Sequence, residues 1–359
     1  MRVAILGDTH FGCRNDSQVF SDYFEKFYKE VFFPYIDQNN IKTVIQLGDL
    51  FDRRKYINFA SLKSCVEYFF KEVEKRDLEM IYLIGNHDIY FKNTLEVNST
   101  ELIIANNYRN PTTIVSKPTE LTFPDGSMML AVPWICDDNR DEVLACMEQT
   151  KAQVVVGHFE ITGFEMYQGM MCEDGEGLDM FSKFDMVLSG HFHHKSHSRN
   201  VWYLGTPYEM TWSDYEDPKG FHIFDTEKRE IVEFIQNPFV MFHKLFYDDA
   251  NETREQILQM DVSHLNDAYV KLIIKTKDDP STFDMFIDKL EKAGVADLQV
   301  VEDHLYLNLE DDKDIISEAE DTLSILRKSV AMVEGCNEET RIKVENKLQS
   351  LYNDALAME

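Results

Sequence analysis

A chain of 359 residues exceeds the usual size of one domain, so a large domain with a smaller appendage is expected. Its 44% hydrophobic and 12% aromatic content can build a substantial core, and no apolar run is long enough to span a bilayer, which points to a soluble, cytoplasmic protein with no membrane partner. The formal charge of −29 is opposite to the basic excess that DNA-gripping surfaces carry, so either cations and a basic partner offset it or the acidity merely keeps the chain soluble.

From Arg2 to about Phe234, short apolar runs alternate with longer amphipathic ones, the signature of a layered α/β domain. The strand-like runs are Val3–Leu6, Val44–Leu47, Ile81–Ile84, Met128–Val132, Val154–Val156 and Met186–Leu188, followed by Val201–Leu204, Phe221–Phe224 and Ile231–Ile235. Ser17–Gln38 and Asn58–Lys75 have helical spacing, with Ser17 and Asn58 as N-caps. Two packed sheets flanked by helices would hold these elements. From about Met241 the texture becomes strand, helix, strand, helix, strand, a small α+β module. The expected division is a main domain over 1–240, the module over 241–309, an acidic linker over 310–337 and a terminal helix over 338–359. That helix gathers Ile342, Leu348, Tyr352, Ala355 and Leu356 near one face. Cysteines 13, 65, 136, 146, 172 and 336 form no CxxC pair and read as reduced structural thiols.

Five times, an apolar run ends in glycine and a metal-ligand side chain follows at once: Gly7–Asp8, Gly48–Asp49, Gly85–Asn86, Gly157–His158 and Gly190–His191. Sites on α/β sheets gather beyond the carboxyl ends of strands, so these ends can converge. Two divalent ions roughly 3.5–4 Å apart need an anionic bridge and mixed oxygen and nitrogen ligands. Asp8, His10 and His193 suit one ion; Asn86, His158 and His191 suit the other; Asp49 is the best bridge. Imidazole with carboxylate favours manganese, iron or zinc over magnesium, and manganese is the first choice.

DTH at 8–10, GDLFD at 48–52, GNHD at 85–88, GH at 157–158 and GHFH at 190–193 resemble the metallophosphoesterase superfamily. With GTP at 205–207 and a downstream small domain, the pattern is most similar to nuclease subunits of the SbcCD-type double-strand-break repair complex, with length and spacing nearest to tailed-phage members. The resemblance implies a four-layer α-β-β-α catalytic sandwich, a capping domain, homodimerisation, DNA as substrate and a long coiled-coil, SMC-like ATPase partner. It carries the seven ligands over and gives His87 a role at the scissile phosphate, with Asp88 orienting His87 through a hydrogen bond. Asp52 stands where some relatives have histidine and is expected behind the ligands or facing substrate. Arg53 would touch phosphate or form a surface ion pair, while His194 and His197 are expected to face solvent.

Two rival readings remain. Protein phosphatases of the superfamily carry Gly-Asp-x-x-Asp-Arg-Gly and Gly-Asn-His-Glu, whereas Arg54 and Asp88 stand at the diverging positions here. A catalytically silent scaffold subunit would have no need of the complete ligand set.

Overall fold

The computed structural model describes residues 1–302, apart from 106, 107, 109, 168, 169 and 174, together with 343, 344, 347 and 348. Each apolar run named above overlaps a strand. The strands are β1 (Arg2–Leu6), β2 (Thr43–Gln46), β3 (Glu79–Leu83), β4 (Thr112–Val115), β5 (Thr119–Thr122), β6 (Met128–Val132), β7 (Val154–His158), β8 (Glu165–Tyr167) and β9 (Met170–Met171). They continue as β10 (Met186–Gly190), β11 (Ser196–Ser198), β12 (Val201–Tyr203), β13 (Gly220–Asp225), β14 (Glu230–Gln236), β15 (Phe242–Asp248), β16 (Tyr269–Thr276) and β17 (Asp297–Glu302).

One six-stranded sheet runs β14-β13-β1-β2-β3-β4 and a second runs β11-β12-β10-β7-β6-β5. Their central strands are parallel, which requires cover on both faces and explains why the runs are apolar without alternation. Val3, Ile5, Ile45, Leu47, Ile81 and Leu83 of the first sheet pack against Met129, Ala131, Val154, Val156 and Leu188 of the second. The alternate residues Ala4, Leu6, Val44, Met80 and Tyr82 face the helices of 18–38 and 59–75. On the far side Leu130, Val132, Val155 and Val187 pack with Val143 and Met147 of helix Arg140–Gln149. The result is the expected α-β-β-α sandwich.

Both long helices depart from the reading in one respect, a π-helical turn at Tyr28–Phe32 and another at Val66–Phe70. Each extra residue turns the helix face so that consecutive aromatics enter the core. Tyr28 stacks on Tyr68 at 5.8 Å between ring centroids and packs on Phe69 at 4.8 Å, and Phe11 reaches Phe69 at 5.4 Å. Phe11 thereby pins the loop that carries His10. Asn58 caps its helix through a 2.8 Å bond from Ala60 N–H, whereas the Ser17 side chain makes no cap bond.

The chain divides into two compact units, one of Met1–Lys244, Asp261–Lys271 and Ile287–Leu298, the other of Leu245–Met260, Leu272–Phe286 and Gln299 onward. The strand-helix-strand-helix-strand order expected after Met241 is present as β15, Arg254–Gln259, β16, Pro280–Lys292 and β17, and the strands form a sheet in the order β15-β16-β17. Within the second unit Tyr247 packs edge-on against Phe283 at 5.2 Å. The acidic segment 310–337 lies outside the described residues, and of the terminal helix only Lys343, Val344, Lys347 and Leu348 are described, in helical conformation. No described helix is long and apolar enough to cross a membrane. The described cysteines, at 13, 65, 136, 146 and 172, are all free thiols.

Candidate metal centre

Strand register brings the ligand positions to one edge. Leu6 pairs with Gln46 and Gln46 with Tyr82, so the chain leaves β1, β2 and β3 at the same level. In the second sheet Gly190 pairs directly with His158. Beyond the strands the loops stay bonded: His10 N–H donates to Asp49 O at 3.0 Å, Phe11 N–H to Leu50 O at 3.0 Å and Asp52 N–H to Phe11 O at 3.1 Å. The glycines leave room for this convergence. A Cβ on Gly85 would lie 2.2 Å from Asp49 Oδ1, and one on Gly48, whose φ is 105°, would lie 2.6 Å from His158 Nδ1.

The donors gather as two groups linked by a third, His10, Asp49 and His87. Asp8, His10 and His193 offer ligand atoms within 4.8 Å of one another, as do Asp49, His158 and His191. Asn86 joins the second group, its Oδ1 2.9 Å from His158 Nε2 and 3.0 Å from His191 Nδ1. Asp49 Oδ2 lies 3.3 Å from His158 Nε2 and 3.7 Å from His10 Nε2, between the groups. His158 donates Nδ1–H to Leu47 O at 2.8 Å, which presents Nε2 to the centre. His191 N–H donates to both oxygens of Asp8, at 3.1 and 3.0 Å.

The expected hydrogen bond between Asp88 and His87 is absent, each being engaged elsewhere. The His87 ring lies 4.9 Å from the His10 ring, and its Nδ1 is 2.5 Å from the main-chain O of Asp52. Asp88 does not hold this ring. Its carboxylate, fully buried, accepts N–H bonds from Gly85 and Asp49 at 2.8 Å and from Leu50 at 3.0 Å, and so ties the second and third ligand loops together. The reason is geometric: three convergent main-chain donors are stronger competitors for a buried carboxylate than one neighbouring imidazole. Asp52 turns its carboxylate to within 3.3 Å of His10 Nδ1. Arg53 is engaged by Asn15 Oδ1 at 2.5 Å, by Tyr56 and by Asp16 at 3.3 Å. His194 is not simply solvent-facing, since its Nδ1 lies 2.9 Å from Asp217 Oδ2, while exposed His197 stacks on Trp202.

Electrostatics fit this donor set to cations. Burial disfavours charge on His10 and His158, yet Asp52, Asp49 and Asp8 raise His10 to about 9, and Asp49 and Asp8 raise His158 to about 9. At Asp8 burial outweighs the neighbouring histidines and raises the carboxyl above the usual carboxylate range. Burial also opposes ionisation of Asp49, but His158, His87 and His10 hold its pKa well below the usual carboxylate range. Neither buried ring nitrogen of His10 makes a well-formed hydrogen bond, although the carboxylates of Asp52 and Asp49 lie 3.3 and 3.7 Å away. Oxygen and imidazole nitrogen donors directed at shared points suit divalent ions.

Three neighbours escaped the sequence reading. Glu160, two residues beyond His158, places Oε1 3.8 Å from His191 Nε2; its position in Gly-His-Phe-Glu was the available signal. Trp134 walls the site, its ring 5.1 Å from that of His191. Lys219, buried, donates to the main-chain O of His193 at 2.8 Å, and no spacing in the sequence marks it.

Residues 1–195 match the Calcineurin-like phosphoesterase family. The chain is 33% identical over 301 residues to Exonuclease subunit 1 of Enterobacteria phage T4, covering 84% of each chain. It is also 24% identical over 264 residues to a subunit of the SbcCD nuclease of Staphylococcus saprophyticus, covering 65% of this chain and 68% of that one. The chain therefore belongs to the calcineurin-like phosphoesterase family, hydrolases of phosphate esters that depend on divalent metal.

Proposed function

We propose that this phosphoesterase is the nuclease subunit of an ATP-regulated DNA recombination and repair complex, cutting phosphodiester bonds as an exonuclease and endonuclease with two divalent ions, manganese first among them. The observation that carries the reading is the pair of donor groups, Asp8–His10–His193 and Asn86–His158–His191, with Asp49 between them. The relatives named as nuclease subunits supply the substrate class.

Each group would hold one ion and Asp49 both. When bound, the ions neutralise phosphate charge and acidify the attacking water. The chain's own residues orient this chemistry. Leu47 O fixes the His158 tautomer, and His191 N–H holds the Asp8 carboxylate. His87 donates Nδ1–H to Asp52 O, which would aim Nε2 at the leaving oxygen; burial lowers the pKa of this ring, so it would protonate that oxygen or stabilise its charge only as the imidazolium, with the bound phosphate holding the second proton on Nε2.

A chain of net charge −29 needs help to hold DNA, and we assign that help to a coiled-coil ATPase bound through the terminal helix 338–359 and to a second copy of this chain. The module of 241–309 would cap the site, and the complex would work in the cytoplasm, of a host cell if phage-encoded. Chelator-treated protein offered labelled single-stranded DNA and a phosphopeptide tests the activity. Restored manganese should revive cleavage of the DNA and leave the phosphopeptide intact; faster hydrolysis of the phosphopeptide would make the protein a phosphatase. Deleting residues after Glu334 should abolish ATPase association while short strands are still cut.

A further inference from the structure

Behind the metal centre lies a second group of charged side chains. Lys219 and Asp214 are almost wholly buried, with Asp217 and His194 at their rim. His194, Asp214 and Asp217 have the residue types of a cation site. The ammonium of Lys219, however, lies 2.7 Å from Asp214 Oδ1 and 2.7 Å from Asp217 Oδ2, where such a cation would sit. Lys219 supplies the positive charge between the two carboxylates, while Nε2 of His194 stays buried without a hydrogen bond.

Its outward bonds run to the ligand loop. Lys219 donates to the main-chain O of His193 at 2.8 Å, and that oxygen also accepts Thr206 N–H at 3.2 Å. The next residue, His194, is held through Nδ1 by Asp217 at 2.9 Å. Asp214 is itself immobilised, since Oδ2 accepts N–H bonds from Met210 and Thr211 at 2.9 Å each. Lys219 therefore hangs from a rigid turn and grips the backbone of a ligand.

His193 needs this grip more than the other histidines. The His158 ring is fixed by Leu47 O, and the His191 ring lies between Asn86 and Glu160. Among the described residues the His193 imidazole makes no hydrogen bond, and its nearest charged neighbour, Asp8, is 4.0 Å away. The ring touches that of His10 at 5.1 Å between centroids but has no hydrogen-bond partner, so its direction is set chiefly by the main chain from which it projects.

We propose that Lys219 is a positioning residue of the metal centre, its ammonium fixing the His193 backbone and thereby the affinity of the Asp8–His10–His193 group for its ion. The inference rests on the metal-centre reading above, and the experiment separates the two. Loss of an outer partner of a ligand typically weakens metal binding roughly 10–100-fold, and here the loss should fall on one site.

Lys219→Met alone would strand two carboxylates, so the variant of choice is Lys219→Met with Asp214→Asn, which removes one charge of each sign and keeps an acceptor for Met210 and Thr211 N–H. Asp217→Asn, at the rim, is the second variant and loosens Lys219 without burying an unpaired charge. Full-length proteins are titrated with manganese alone, free ion being read by electron paramagnetic resonance, and unfolding is followed separately in chelator. We expect one of two sites to weaken at least about 10-fold in the double variant and several-fold in Asp217→Asn, the other site staying within about two-fold. Unchanged affinities with lowered stability would make Lys219 merely structural, and equal weakening of both sites would also overturn the proposal. A double variant that does not fold leaves Asp217→Asn to decide on the same criterion. Wild-type protein that binds no manganese would sink the metal-centre reading instead.

Discussion

The main-chain carbonyl of Asp52 lies 2.5 Å from Nδ1 of His87. This contact leaves Nε2 as the free nitrogen and does not depend on which side chain stands at 52. His87→Ala should therefore lower DNA cleavage about 10²–10⁴-fold, the usual worth of a positioned proton donor, while two manganese ions remain bound. Asp52→Ala should spare the His87 contact and weaken metal instead, through the carboxylate beside His10. Metal counting on both purified variants checks the assignment; loss of both ions in His87→Ala contradicts it.

Asp88 is a strut between loops, and its removal should read as instability. Asp88→Ala leaves the N–H groups of Gly85, Asp49 and Leu50 buried without an acceptor, at about 1–3 kcal/mol each before relaxation. Urea unfolding in chelator should show a loss of roughly 3–5 kcal/mol. A stable Asp88→Ala protein with impaired cleavage alone would restore Asp88 to the His87 ring.

Gly85→Ala makes a sharper cut. The added methyl would collide with the carboxylate and main-chain N of Asp49, at 2.2 and 2.4 Å, so the shared ligand must move. Manganese binding should fall at both sites together, unlike the one-sided loss expected from His193→Ala. Isothermal titration with manganese distinguishes the two patterns.

Five of the seven candidate ligands were legible because each follows a glycine at the end of an apolar run, and parallel strands buried on both faces make such runs continuous. Register then brings five separate chain ends to one edge, which needs no long-range information beyond the sheet itself. Asp88 was misread because its sequence neighbour His87 was the visible partner, whereas its actual donors at 49 and 50 come from a loop nearly forty residues away. Lys219 carried no spacing signal, since its environment is created by the packing of loops. The π turns were hidden as well: the consecutive aromatics Phe32–Phe33 and Tyr68–Phe70 are too wide an apolar run for an extra residue to show as a break in periodicity.

Glu209 gives the fold a titratable weak point. Its carboxylate is buried, accepts N–H bonds from Met241 at 2.6 Å and Phe242 at 3.0 Å, and is raised by desolvation to about 7. The unfolded chain titrates this group near 4.5, so between pH 4.5 and 7 the folded state binds the extra proton. Its contribution to stability is fully present below pH 4.5 and is lost as pH rises through 7, by up to about 3 kcal/mol. Glu209→Gln should flatten this slope in denaturation measured in chelator from pH 5 to 8. An unchanged slope would place the proton elsewhere.

The proposed mechanism requires seven side chains to hold two ions with Asp49 common to both, and anomalous diffraction from crystals soaked in manganese reads that arrangement out. Two peaks are expected, one bounded by Asp8, His10 and His193 and the other by Asn86, His158 and His191, each within coordinating distance of Asp49. A single peak, or a second ion between His194, Asp214 and Asp217 in place of either, would contradict it.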